Sequence, residues 1–189
     1  KRAQHLFHDY DVPYASVVAL EPSTGRVLAY VNHSADGRDL ARDVSAPAAS
    51  VFKLITSAAL IEAGVSPERR VCYSGGTSHL NAAQLQDNPR RDRACVTVDE
   101  ALGKSTNAVF AKLADRYLTP TSLSRYARDF GFGRELPFAM SAPASPIDMP
   151  REKLEFARTA AGFWHTQMSP LHAALIAATI ANDGAMPEP

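Results

Sequence analysis

Residues 49–63 read Ala-Ser-Val-Phe-Lys-Leu-Ile-Thr-Ser-Ala-Ala-Leu-Ile-Glu-Ala, a helix-forming run that is apolar on nearly every face and is followed by Gly64, a C-cap candidate. A helix without a polar face has to be buried, so this segment is expected to lie inside whatever the rest of the chain builds. Lys53 conflicts with that placement. An ammonium in such a helix either snorkels to water or loses its proton, because desolvation disfavours the charged form. Ser50 precedes Lys53 by three residues, which puts both side chains on one helix face. A neutral amine beside a hydroxyl is a general base, and the amide donors and positive dipole end of a helix start suit an oxyanion. A capping serine with a snorkelling lysine would give the same tetrapeptide, so this pair needs support from elsewhere.

The flanking segments read in order. Arg2 to Tyr10 is a short helix ending near Pro13, and Ala15-Ser-Val-Val-Ala-Leu20 with Arg26-Val-Leu-Ala-Tyr-Val31 is a hairpin turned by Glu21-Pro-Ser-Thr-Gly25. Residues 32–48 are polar and irregular. Residues 71–96 are the least helical part of the middle, with Gly75-Gly76, Asn88-Pro89 and a basic run Arg90-Arg91-Asp92-Arg93 between Cys72 and Cys95. Thr97-Val-Asp-Glu100 is a capping box that opens a helix. That helix pauses at Gly103-Lys-Ser-Thr-Asn107 and resumes to Tyr117. Pro120 to Asp129 is a further helix, stopped by Gly131-Phe-Gly133; the proline-rich residues 136–150 are extended, and Arg151 to Ala161 is helical. Ser169 caps a last Ala/Leu/Ile helix that Pro170 opens and Asn182-Asp-Gly184 ends.

Composition narrows the function classes. A chain of 189 residues, 46% hydrophobic, can bury a single core. Twenty Lys+Arg against twenty Asp+Glu give a formal charge of zero, which removes the electrostatic footprint of a nucleic-acid binder. No apolar stretch approaches the ~20 residues that cross a bilayer. The chain starts at Lys1 with neither methionine nor an apolar leader core, and is expected to be a mature or excised piece. The histidines show no metal spacing beyond His5-x-x-His8, so neither a metal site nor a cofactor is expected. Trp164, with Phe163 and His165, reads as core or cleft wall.

Support for Ser50 and Lys53 comes from Ser105-Thr-Asn107. This S-x-N triplet falls at the break between two helical stretches, where a hydroxyl can relay a proton and an amide can hold a peptide group, although a turn or capping role would also place such residues there. With the hairpin 17–30, the box Ser50-Val-Phe-Lys53, the segment Glu100 to Ala114, Tyr126-Ala-Arg-Asp-Phe-Gly-Phe-Gly133, and Met168-Ser-Pro-Leu-His172 followed by Ile180-Ala-Asn-Asp-Gly184, the chain resembles the transpeptidase domain of penicillin-binding proteins. The segments occur in family order.

The resemblance implies an α/β (α+β) fold of the β-lactamase and transpeptidase type, with an antiparallel sheet and a mostly helical subdomain, so that 1–189 is a partial domain with its hairpin at 15–31 and its helical region at 49–184. It implies that Ser50 is the acylated nucleophile, Lys53 its base, Ser105 a proton relay and Asn107 a binder of the substrate amide, in a double displacement through an acyl-enzyme. The implied donor is a peptidoglycan stem peptide ending in D-Ala-D-Ala, β-lactams acylate the same serine, and the location is periplasmic or extracytoplasmic with a membrane anchor in the full-length protein. Export would allow Cys72 and Cys95 to pair as a disulfide; two separate thiols are the alternative.

One family feature is missing. None of the five lysines is followed by Ser-Gly or Thr-Gly, so the family's K-[ST]-G box, which lies beyond its asparagine-glycine helix end, is absent. Truncation is the expected reason, with the C-terminal strands absent from this chain and the sheet completed by a C-terminal segment or a second chain. A catalytically inactive penicillin-binding or regulatory module is the alternative function, and a D,D-carboxypeptidase or β-lactamase-type hydrolase another.

Overall fold

The computed structural model describes residues 2–76 and 78–189. Its elements run α1 (Arg2–Asp9), β1 (Tyr14–Leu20), β2 (Val27–Ser34), α2 (Phe52–Glu62), β3 (Arg70–Tyr73), β4 (Ala94–Thr97), α3 (Val98–Gly103), α4 (Asn107–Tyr117), α5 (Pro120–Asp129), α6 (Lys153–Ala160) and α7 (Pro170–Ala181). The chain divides into two compact units. One comprises residues 1–46, 130–146 and 167–189, and the other residues 47–129 and 147–166.

In the first unit, β1 and β2 pair antiparallel from Tyr14 opposite Ser34 to Ala19 opposite Ala29, with an irregularity before Leu20 meets Val27. Alternation along β1 sends Val18 and Leu20 to one face, where they pack on Leu136, Ala142, Leu171 and Leu175. Val17, on the opposite face, is exposed. Among the described residues, neither outer edge of this ladder carries another strand. The start of α7 follows the sequence reading: the Ser169 hydroxyl accepts the His172 N–H at 3.2 Å and Pro170 takes the first helical position.

His172 is fully buried in this unit. Its Nε2 lies 2.7 Å from the Phe130 carbonyl oxygen, which can only accept, so Nε2 carries the proton and Nδ1 accepts from the Ser145 hydroxyl at 2.6 Å. Burial lowers its pKa below the ordinary value, the Phe130 bond opposes that shift, and the charge of Arg134 adds to it. The unfolded imidazole takes up a proton near pH 6.5 and the folded one at lower pH, so stability is lost as pH falls below ~6.5, at most by about 1.4 kcal/mol per pH unit. Denaturant unfolding between pH 7 and pH 5 is expected to show this loss. His172→Gln, which keeps one donor and one acceptor without a titrating group, is expected to flatten it.

In the second unit, α2 lies against α4, α5 and α6, as a helix apolar on every side requires. Phe52, Ile55 and Leu60 are fully buried. Thr56 adds a directional tie: its hydroxyl donates to the Ala160 carbonyl at the end of α6 at 2.7 Å. The 71–96 stretch, read from sequence as turn-rich, holds the second ladder, with β3 and β4 antiparallel and Cys72 directly opposite Cys95. The two cysteines form a disulfide. These strands escape a pattern reading because each is four residues long and is bordered by arginines and turn residues.

A buried ion pair fastens this hairpin and its turn to α4. Lys112 on α4 donates to Asp92, to the Cys72 carbonyl at 2.8 Å and to Asp87 at 3.3 Å, while Arg116 reaches Asp87 at 2.7 Å. Burial alone would raise the Asp92 carboxyl; the Lys112 ammonium, the Asn88 amide and the Ser74 hydroxyl outweigh it and hold the pKa at about 2. Removing one partner of a buried pair leaves the other uncompensated. Asp92→Ala is therefore expected to cost about 3–5 kcal/mol in denaturant unfolding.

Candidate active site

Ser50, Lys53, Ser105 and Asn107 all belong to the second unit. The sequence reading put Ser50 at the first turn of a long helix; instead it occupies the middle of a short 3-10 turn, Ala49–Val51, and α2 starts at Phe52. The approach is fixed on both sides. Ala48 donates its N–H to the Thr166 carbonyl at 2.9 Å, and Ala49 adopts φ +48°. A non-glycine residue in that region carries roughly 1–3 kcal/mol of strain and persists only where its surroundings impose it.

Gly162 is part of what imposes it. Its φ is +86°, and a Cβ built there would fall 2.1 Å from the Ala49 carbonyl oxygen and 3.2 Å from the Ser50 nitrogen. Only glycine lets the backbone after α6 lie this close to the Ser50 turn. The Ser50 N–H has no hydrogen-bond acceptor among the described residues.

Lys53 does not snorkel; it is 1% exposed. Its Nζ donates to Ser50 Oγ at 2.9 Å, and Ser50 Oγ lies 2.6 Å from Ser105 Oγ. Burial brings the lysine down to about 8. A tenth or so of the side chain is then neutral at pH 7. Three polar side chains thus form a continuous path for a proton: amine, hydroxyl, hydroxyl.

Ser105 reaches this position through a helix-stop motif. The Ser105 N–H bonds the Leu102 carbonyl at 3.0 Å and the Thr106 N–H bonds that of Ala101 at 2.8 Å, the paired closing bonds of a Schellman cap. The residue at such a cap takes a left-handed conformation and is usually glycine; here it is Ser105, at φ +53°. Ala49 and Ser105, one beside the Ser50–Ser105 hydroxyl pair and one within it, therefore share this uncommon conformation. Asn107 opens α4 two residues later. A cavity of about 190 Å³ adjoins it, lined by Tyr73, Gly75, Gly76 and residues 104–107.

A second cavity of about 340 Å³, between Arg69, Arg70, Asp87 and Arg116, has no comparable chemistry, since Asp87 and Asp92 are already engaged by Arg116 and Lys112. Trp164 is not core as one reading of the sequence had it: it is 51% exposed. Sequence reasoning also missed the part of Gly162, for which a glycine between an Ala-rich helix end and the aromatic run Phe163-Trp164-His165 is the one available signal.

The family model described as the penicillin binding protein transpeptidase domain matches residues 15–189. The chain belongs to that family. The peptidoglycan D,D-transpeptidase PbpA of Mycolicibacterium smegmatis is 28% identical over 89% of this chain and 41% of its own length. PbpA of Mycobacterium tuberculosis strain H37Rv is 32% identical over the same shares. The solved structure of penicillin-binding protein A from M. tuberculosis, a ceftriaxone acyl-enzyme complex, superposes with a TM-score of 0.75 at 28% identity, covering 92% of this chain and 46% of that one. The α/β transpeptidase fold is thereby shown. The chain spans less than half the length of these relatives.

The geometry around Gly162 makes a prediction. Gly162→Ala is expected to destabilise the domain by about 2 kcal/mol or more, read from denaturant unfolding, because the methyl group meets backbone rather than a side chain able to move aside.

Proposed function

We propose that the protein is a D,D-transpeptidase that crosslinks peptidoglycan stem peptides through an acyl-enzyme at Ser50. The observation that carries this reading is the buried, unpaired Lys53 amine 2.9 Å from Ser50 Oγ, with Ser105 Oγ 2.6 Å further along. Neutral Lys53 accepts the Ser50 proton as Oγ attacks the carbonyl between the two terminal D-alanines of the donor. The Ser50 N–H faces the developing oxyanion. Once Oγ is bonded to the carbonyl carbon it no longer relays, so the Lys53 ammonium turns to the neighbouring Ser105 hydroxyl and the proton passes from there to the leaving D-alanine amine; the C–N bond breaks, and an ester remains on Ser50. An amine of a neighbouring stem then attacks that ester, its proton returns along the same path to Ser50, and a new peptide bond is released. Asn107 holds the amide of the donor next to the cavity at the head of α4.

β-Lactams enter by the same first step, with the opened ring amide as leaving group. Family membership and the names of the PbpA relatives support this reading. The ceftriaxone and imipenem acyl-enzyme complexes of M. tuberculosis penicillin-binding protein A support it for the inhibitor class. An extracytoplasmic site of action agrees with stem peptides as substrate and with the exposed Cys72–Cys95 disulfide. No helix among the described residues is long and apolar enough to cross a membrane.

The test is covalent labelling of the full-length protein with a fluorescent penicillin. Label is expected in the wild type and lost in Ser50→Ala; an unlabelled wild type would overturn the reading. The acylation rate has a defined pH dependence. Protonated Lys53 cannot act as base, so the rate is expected to rise about tenfold per pH unit below ~8 and to level off above it.

A further inference from the structure

We infer that Trp164 is a specificity-determining residue of the acyl donor site, an aromatic wall that contacts the acyl group carried on the nitrogen next to the carbonyl attacked by Ser50. The inference rests on the acyl-transfer reading of Ser50 and goes beyond it by assigning the donor's recognition to one residue.

Trp164 is the single tryptophan of the chain. It is held firmly and yet left open. Its indole N–H donates to Glu155 Oε2 at 2.6 Å, the Arg158 guanidinium lies 5.5 Å from its ring centroid, and Phe163 meets it edge-on at 5.6 Å. The brace is itself fixed: Arg158 reaches the other Glu155 oxygen at 2.6 Å and donates twice to the Leu80 carbonyl, at 3.1 and 2.6 Å, while His165 Nε2 lies 3.3 Å from Glu155. A ring tied down to this degree while half its surface faces solvent is preorganised for a contact.

The surroundings say which contact. Gly162, two residues before Trp164, is the residue that lies against Ala49 and Ser50. Two peptide units span at most about 7.6 Å, so the tryptophan backbone is tethered beside the nucleophile turn. On its other side, the brace ends on Leu80. Leu80 and Ala108 both crowd the Cβ position of Gly76, at 3.1 and 2.6 Å, so that end adjoins the first turn of α4, which Asn107 opens. The ring is thus tied on one side, through Gly162, to the segment that supplies Ser50 and on the other, through Arg158 and Leu80, to the neighbourhood of Asn107. A donor with its carbonyl on Ser50 Oγ and its amide on Asn107 presents the acyl group beyond that amide to this wall.

The experiment compares two β-lactams on the full-length protein: penicillin G, which carries an aromatic acyl side chain, and 6-aminopenicillanic acid, which carries none. Trp164→Ala is expected to lower the second-order acylation constant for penicillin G about tenfold and that for 6-aminopenicillanic acid less than twofold. Trp164→Phe is expected to restore most of the penicillin G rate. Trp164→Leu, which keeps apolar bulk without a ring, gives the same ratio as Ala and replaces it where Ala fails to fold. An equal fall for both compounds, or no change in either, overturns the inference. A wild type that reacts with neither compound overturns the acyl-transfer reading and this inference with it.

Discussion

Everything at the site depends on one amine kept out of water. Lys53 sits in a helix with no polar face, and its Nζ hydrogen-bonds only Ser50 among the described residues. The same chain carries a second buried lysine, and the contrast explains the chemistry. Lys112 has the Asp92 carboxylate against it with Asp87 and a carbonyl nearby, so its charge is balanced where it lies. Lys53 has a hydroxyl and no carboxylate. One lysine is structural because it is paired; the other is available to chemistry because it is not.

The structure around Lys53 follows from keeping it in that state. α4, α5 and α6 close on α2, and the Thr56 hydroxyl ties α2 to the end of α6. That tie fixes where the chain leaves α6, so that Gly162 arrives against Ala49. Helix packing, a buried hydrogen bond and a glycine contact thus act in series to present one hydroxyl beside one amine. The Lys112 network does similar work midway along α4, where it holds the disulfide-linked ladder through the Cys72 carbonyl and the turn through Asp92.

Much of this was legible in the sequence. The apolar helix with its one lysine, the hairpin, the Thr97 and Ser169 caps and the break before Asn107 all rest on local chemistry, and the ordered segments of the family carried the assignment of residues. What could not be read depends on tertiary context. The left-handed conformations of Ala49 and Ser105 are imposed by packing and by a cap on residues that do not favour them. The β3–β4 ladder is too short for a period to register. Exposure of Trp164 was hidden because hydrophobicity argues for burial, whereas a hydrogen bond from its indole N–H to Glu155 and a stacked arginine hold the ring at the surface.

The serine at the Schellman cap carries an evolutionary consequence. At that backbone conformation glycine is the residue that costs least, so folding stability pulls position 105 toward glycine while the proton relay proposed for its hydroxyl opposes it. Mutational drift in a descendant freed from catalysis would relax at this position early, since the change removes strain and disturbs no core packing. Glycine at the position of Ser105 would then mark a chain in which the proposed relay is no longer used, even where the equivalents of Ser50 and Lys53 are kept.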